Sequence, residues 1–302
     1  MGYHILINEN AGTVLKIGAE VLRTKAYEIL GDSIDEFEFV APDQIMTRLE
    51  SMDDERCVLV GGGDGTITTI ASHLIKKEHP FGIIPLGTMN LFAQDIGVPN
   101  NWEDALKAYK NSDEHHVDVG FANGELFLCN AMFGVTTQIA KEREASRNMF
   151  RPTAWLRLLG SFWQKFSQGS SRYIKITSGI KNGHLAYKSI VVSNNRYRDE
   201  IGPGCNLKQS LQDGNLSIYV INPQTGMESA ALMARLAAGG WQKEAYVENF
   251  DTKKIIFNRS KKHIAVLLDG EEKQLKMPLR FEIRPKALSV LVPKACEKEK
   301  AA

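Results

Sequence analysis

Cysteine is scarce in this chain and follows no pairing pattern: four residues, at 57, 129, 205 and 296, with no Cys-x-x-Cys among them. That spacing excludes a disulfide-stapled scaffold and a thiolate zinc site, and fits free thiols in a reducing, cytoplasmic setting. Long apolar runs are absent too: nothing approaches the roughly 18 to 20 residues of a membrane-spanning helix. The N-terminus enters a strand-like run, Tyr3-His4-Ile5-Leu6-Ile7, instead of a signal peptide. Gly2 follows Met1, but Leu6 stands where a myristoylation signal needs Ser or Thr. Neither sign of charge dominates; 37 basic and 36 acidic residues leave +1, which provides no electrostatic footprint for nucleic acid. No Gly-x-x-x-x-Gly-Lys-Ser/Thr and no Gly-x-Gly-x-x-Gly occurs, which excludes a Walker site and counts against a dinucleotide fold. His115-His116-x-Asp118 has no further His or Cys at zinc spacing and reads as a solvated loop pair.

What is present is a glycine run, Val60-Gly61-Gly62-Gly63-Asp64-Gly65-Thr66, after the apolar stretch Cys57–Val60. It opens onto a helical pattern near 67–77. A strand, a glycine turn and a helix N-terminus form an anion site, because unpaired N–H groups and the helix dipole converge there. Asp64 adds a carboxylate where Mg²⁺ sits beside phosphates. A second glycine turn, Pro85-Leu86-Gly87-Thr88-Met89-Asn90, follows one helix and one strand later. In a parallel sheet the two turns are neighbours at the carboxyl edge, where ligands bind and where Thr88 and Asn90 can bond phosphate or ribose.

The length, 302 residues, fits two domains. Strand and helix patterns alternate over the first 110 residues: strands at 4–7, 37–40, 57–60 and 81–85, helices at 14–30, 42–52, 67–77, 90–96 and 101–111. This predicts a parallel α/β sheet covered on both faces. From about residue 115 the pattern becomes strand-like with Gly, Asn or Asp turns, at 117–119, 126–129, 173–177, 186–193, 216–221, 254–258, 264–268 and 280–283. That predicts an antiparallel β-sandwich or open barrel interrupted by helical segments at 136–167 and 226–243. The run 288–292 either closes the β domain or returns to the first one. The expected division is a domain over 1–120, joined by 286–296, and a β domain over 121–285.

The two glycine loops together, Gly62-Gly63-Asp64-Gly65-Thr66 and Pro85-x-Gly87-Thr88-x-Asn90, resemble the diacylglycerol kinase catalytic domain family, which includes diacylglycerol, sphingosine and ceramide kinases and bacterial soluble lipid kinases. Further elements fall in the family's order: Asn8-Glu9-Asn10-Ala11-Gly12, Val117-Asp118-Val119-Gly120, Asn130-x-x-x-Gly134, Ser193-Asn194-Asn195, Asp213-Gly214-Asn215-Leu216 and Asp269-Gly270-Glu271. One position departs: Glu9 stands where the family has proline, which would fix φ in the first loop.

The resemblance implies an ATP-binding α/β domain like that of NAD kinases and phosphofructokinases, and a C-terminal antiparallel β-sandwich for the lipid, with the active site in the cleft. ATP and Mg²⁺ are the implied cofactors. The nucleotide ligands it carries over are Asn8, Gly62, Gly63, Asp64, Gly65, Thr66, Thr88 and Asn90. Asp269 and Glu271 carry over as catalytic carboxylates, and Asp213, with carbonyls near Ser210 and Asn215, as a structural Mg²⁺ site. Asp118 is expected at the substrate region, its alternative being a hinge residue. Asp213-Gly214 reads equally as a turn.

Phosphoryl transfer needs positioned phosphates, neutralised charge and a base at the attacking hydroxyl. Asp269 and Glu271, separated by one glycine, can supply the base; read alone, Asp-Gly is also a hairpin turn. The segment 145–166 carries Trp155, Leu158, Leu159, Phe162 and Phe166 at helical spacing beside Arg143, Arg147, Arg151, Arg157 and Lys165. It fits either an amphipathic helix on an anionic membrane surface or a helix packed on the β domain. Peripheral membrane association and a homodimer through an edge strand are the expected partnerships, with no nucleic acid. An NAD kinase is the nearest rival, but Asn130 is followed by Ala131 where that family expects Glu. A non-catalytic lipid-binding protein of the same fold is the rival from another class.

Overall fold

The computed structural model describes residues 2–51, 57–75, 79–139, 160, 163–199, 202 and 207–294. The chain divides into two compact units, Met1–Asp118 with Lys286–Ala302, and Val119–Pro285.

In the first unit, β1 (Tyr3–Asn8) lies between β2 (Ile34–Val40) and β3 (Cys57–Gly62), and β3 pairs with β4 (Phe81–Pro85), all parallel. Every residue of β1, β3 and β4 is buried, as an apolar run must be in a sheet with helices on both faces. The helices are α1 (Gly12–Ile17), α2 (Ala19–Leu30), α3 (Ile45–Glu50), α4 (Asp64–Leu74), α5 (Leu91–Asp95) and α6 (Trp102–Tyr109). The single helix expected over 14–30 is two helices. Gly18, at φ 90°, ends one and starts the next, a backbone state that only glycine adopts cheaply. At α6, the Asn101 side chain caps the N–H groups of Glu103 and Asp104. Its far end delivers Tyr109 into the core, where the hydroxyl accepts from Ile83 N–H at 2.6 Å and donates to Ile83 C=O at 2.9 Å. That side chain thus serves β4 as a substitute for ladder partners.

The second unit is an antiparallel sandwich. One sheet runs β12 (Val247–Thr252), β11 (Leu216–Ile221), β10 (Ser189–Asn194), β7 (Asn130–Gly134), β14 (His263–Leu268), β15 (Glu271–Lys276). The other joins the first part of β16 (Leu279–Pro293) to β13 (Lys254–Asn258), β8 (Arg172–Ser178) and β9 (Asn182–Tyr187), and the hairpin of β5 (Ser112–Ala122) with β6 (Glu125–Phe127) belongs to it. The facing sides interlock through aromatic rings: Phe133 lies 5.9 Å from Tyr187 and 5.2 Å from Phe257, edge to face. The opposite face of the first sheet is covered by α7 (Gly226–Ala238), started by a Thr225/Glu228 capping box, through Leu232, Tyr219, Trp241 and Phe166.

Two strand expectations change in detail. The strand expected at 126–129 stops at Phe127 and β7 begins at Asn130, because the intervening N–H groups are taken by a side chain described below. The strand expected at 186–193 is two, separated at Lys188, whose ammonium donates to Phe166 C=O at 2.5 Å. The run 288–292 belongs to β16, whose Val290 pairs in parallel with Phe81 of β4. Of the segment expected as a helix over 136–167, residues 136–139, 160 and 163–167 are described and helical. Arg143, Arg147, Arg151, Trp155, Arg157, Leu158, Leu159 and Phe162 lie outside the described residues. Among the described residues, no helix is long and apolar enough to cross a membrane.

Candidate functional site

Three loops meet at the carboxyl edge of the parallel sheet in the first unit. The loop after β1 is closed by Asn8, whose Oδ1 accepts Asn10 N–H at 2.9 Å while its Nδ2 donates to Thr66 Oγ1 at 2.8 Å. That second bond joins the first loop to the glycine run. The loop after β4 joins both: Leu86 N–H donates to Gly62 C=O at 3.0 Å, and Thr13 N–H donates to Leu86 C=O at 3.1 Å.

Glycine is required where the two glycine loops touch. A Cβ on Gly87 would lie 2.5 Å from Gly63 Cα and 2.8 Å from Asn90 Oδ1, and one on Gly62 would lie 2.7 Å from Thr66 Cβ. Asn90 closes its own loop by accepting Gly87 N–H at 2.9 Å and donating to Gly87 C=O at 3.1 Å. That closure holds Asn90 in the left-handed region at φ 48°, so it cannot cap α5 with its own side chain. Asp64 does so from the other loop, accepting Leu91 N–H at 2.6 Å.

Helix α4 begins at Asp64, earlier than the sequence pattern suggested, with Gly63 as its N-cap and no side-chain cap. Its first-turn N–H groups are therefore directed, unsatisfied by a cap, at the glycine loop, the arrangement that binds phosphate. Burial raises the Asp64 carboxyl above its ordinary value, and the N–H groups of Leu91, Phe92, Asn90 and Asp64 itself oppose that rise. This donor set fits a nucleotide phosphate, and Asp64 fits a hard cation that takes its remaining ligands from phosphate and water. Thr88 is exposed at the rim.

Asp118, 1% exposed, accepts Lys286 N–H at 2.8 Å and so pins the residue at which the chain re-enters this unit, itself at φ 51°.

In the second unit, Asp269 (φ 49°) and Gly270 (φ 90°) form a two-residue turn that pairs Leu268 with Glu271, the geometry of a primed hairpin. The Asp269 carboxylate accepts three backbone N–H groups, from Leu128 at 2.7 Å, Cys129 at 2.8 Å and Asn130 at 3.0 Å, and Asp269 N–H returns a bond to Asn130 C=O at 2.9 Å. The turn is thereby stapled to the break before β7. Asp269 is 7% exposed whereas Glu271 is exposed. The two carboxylates expected as one catalytic pair thus sit in different settings, one holding backbone and one facing solvent. The donors at 128–130 were not legible in sequence, since they lie about half the chain away from Asp269.

The expected metal residues lie in an irregular segment with bends at Leu211 and Asp213, just before β11. Asp213 is exposed, its carbonyl accepts Asn215 Nδ2 at 3.1 Å, and the Asn215 carbonyl accepts Asn195 N–H at 3.0 Å. Ser210 Oγ accepts Gln212 N–H at 3.1 Å. Among the described residues no group of three His, Cys, Asp or Glu ligands gathers there.

Comparison with known proteins follows this division. Residues 3–122 match the diacylglycerol kinase catalytic domain, and residues 133–292 match the YegS C-terminal NAD kinase beta sandwich-like domain. A probable lipid kinase YegS-like of Shewanella frigidimarina is 26% identical over 249 residues, 79% of this chain and 77% of the relative. Its counterpart in Pseudomonas fluorescens is 27% identical over 245 residues, 78% of this chain and 77% of the relative. A solved structure described as a diacylglycerol kinase from Bacillus anthracis str. Sterne superposes with a TM-score of 0.70 at 20% identity, over 97% of each chain. At that identity the superposition establishes the shared fold.

Proposed function

We propose, because this chain belongs to the lipid kinase family that joins a diacylglycerol kinase catalytic domain to a YegS-type C-terminal domain, that it transfers the γ-phosphate of ATP to a hydroxyl of diacylglycerol or a related lipid. The observation that carries the reading is the pair of interlocked glycine loops at the uncapped start of α4, with the Asp64 carboxylate between them.

In this reaction the acceptor oxygen bonds to the γ-phosphorus and the bond from that phosphorus to the β–γ bridging oxygen breaks. ADP leaves with the bridging oxygen, and the acceptor proton passes to a carboxylate. The N–H groups of Gly65 and Thr66 orient the phosphates, and Asn8 and Asn90 hold the loops that carry them. A magnesium ion, when bound, neutralises phosphate charge, and Asp64 would hold it. Glu271, exposed beside the hairpin turn, suits the base that takes the proton. Asp269 suits a positioning residue that fixes the turn bearing Glu271.

The test is a phosphorylation with γ-labelled ATP, offered side by side with dispersed diacylglycerol, a total lipid extract and NAD, with products identified by mass spectrometry. Label on a lipid hydroxyl that disappears with Glu271→Gln supports the reading; label on NAD, or no transfer to any lipid, overturns it.

A further inference from the structure

We infer that the outer face of the sheet formed by β16, β13, β8 and β9 in the second unit docks on an anionic lipid bilayer. The cross-strand registers place Arg280, Glu282, Lys254, Lys175, His184 and Tyr173 on one side of that sheet. Arg280 faces Ile256, Lys254 faces Glu282, Lys175 faces His184 and Tyr173 faces Ala186. Their neighbours of opposite parity, Ile174, Ile176, Ile255, Phe257 and Phe281, point into the sandwich core. Arg284 continues the outward row, its guanidinium 4.1 Å from the centroid of the Phe121 ring.

Charge separates this face from the rest of the molecule. The whole chain is near neutral at +1, yet the face carries four permanent cations, Lys175, Lys254, Arg280 and Arg284, against the one carboxylate of Glu282. That carboxylate is shared by Lys254 at 3.3 Å and Arg284 at 3.9 Å. Lys175 and Arg280 form no ion pair with any described residue and are exposed.

Two apolar side chains accompany the cations at solvent: Tyr173 is 72% exposed, and Ile180, in the turn between β8 and β9, is 63% exposed. That turn is fixed by Ser178, whose Oγ accepts Lys181 N–H at 2.9 Å and donates to Lys181 C=O at 3.0 Å, so Ile180 is presented on a rigid corner. Cations for the headgroups, with an aromatic and an aliphatic side chain for the interface, is the chemistry of a bilayer surface. A nucleic acid duplex offers the cations a partner but gives Ile180 none. The choice of occupant rests on the lipid kinase reading, since a lipid acceptor is found in a membrane; the surface itself does not depend on catalysis.

The test is vesicle flotation of the full chain without ATP, using phosphatidylcholine vesicles with and without phosphatidylserine. The expected result is binding to the mixed vesicles only, weakened by salt. Loss of one cation near an anionic leaflet weakens binding roughly fivefold, so Lys175→Gln with Arg280→Gln should weaken it by on the order of tenfold or more. The same double variant should phosphorylate detergent-dispersed lipid at the unaltered rate. Equal binding to both vesicle types, no binding, full retention in the double variant, or tighter retention on duplex DNA or polyglutamate than on mixed vesicles overturns the docking surface. Vesicle binding without phosphotransfer to dispersed lipid would overturn the kinase reading instead, so the two failures are distinguishable.

Discussion

Asp64 reaches from the first glycine loop to the second and accepts the Leu91 N–H at 2.6 Å. One side chain thus belongs to the N-terminus of α4 by sequence and caps α5 by contact. It also takes over the capping that Asn90, at φ 48°, cannot perform. Loss of this carboxylate should therefore damage the geometry of both loops as well as phosphate chemistry.

The protonation of Asp64 gives a pH signature. Burial holds its folded-state value above the ordinary 3.8, so the folded chain binds the proton more tightly than the unfolded chain. The resulting stability is complete below 3.8 and is lost as pH rises through the folded-state value. Urea unfolding followed across that window should show the wild type losing stability relative to Asp64→Asn as pH rises. An identical slope in the variant would contradict the assignment.

Gly87→Ala places a methyl 2.5 Å from Gly63 Cα, against backbone that has no side chain to move. Overpacking of this kind costs about 1 to 3 kcal/mol, and here the loops can relieve it only by separating. Nucleotide binding, measured by calorimetry, should fall more steeply than stability, because the phosphate donors sit on the displaced loop.

Asp269 and Glu271 should separate stability from catalysis. Asp269→Ala leaves three buried N–H groups without their acceptor, a loss of at least about 3 kcal/mol given the cost of each unsatisfied donor. Glu271→Gln changes an exposed side chain and should leave stability within about 0.5 kcal/mol. Its transfer rate should nevertheless fall by roughly 10²- to 10⁴-fold if it is the base. Chemical denaturation and lipid phosphorylation on the same preparations distinguish the two roles.

Cys57 should be inert in the folded protein. It is 3% exposed, and burial, with Glu114 adding to it, pushes the thiol up to about 11. Alkylation at neutral pH followed by peptide mapping should leave Cys57 and the buried Cys129 unmodified until denaturant is added.

The glycine loops were legible in the sequence because punctuation is local: a glycine run between an apolar strand and a helical pattern has few other solutions. Strands β1, β3 and β4 followed from their apolar runs, whereas β2, interrupted by Asp35, Glu36 and Glu38, starts three residues before the expected strand. Contacts between distant residues were not legible. The Asp269-Gly270 turn reads from its dipeptide, but its grip on Leu128–Asn130 depends on the pairing of β7 with β14, which no local pattern encodes. The same holds for Asp118 and Lys286, joined only because two strands cross the unit boundary together. Gly18 misled in the opposite direction, since apolar periodicity continues through it while the backbone turns.

Strand β16 has a consequence for how the protein is made. Its last part lies in the first unit, where Val290 pairs with Phe81 at the edge of β4. During synthesis the glycine loops emerge early, but the sheet that supports them stays one strand short until residues 286–293 have left the ribosome. The second unit, contiguous from Val119 to Pro285, has all its strands first. A fragment ending at Asp118 would expose the bare edge of β4, so shortened versions of this chain made for study of its phosphate-binding half should carry residues 286–293 in trans or by fusion.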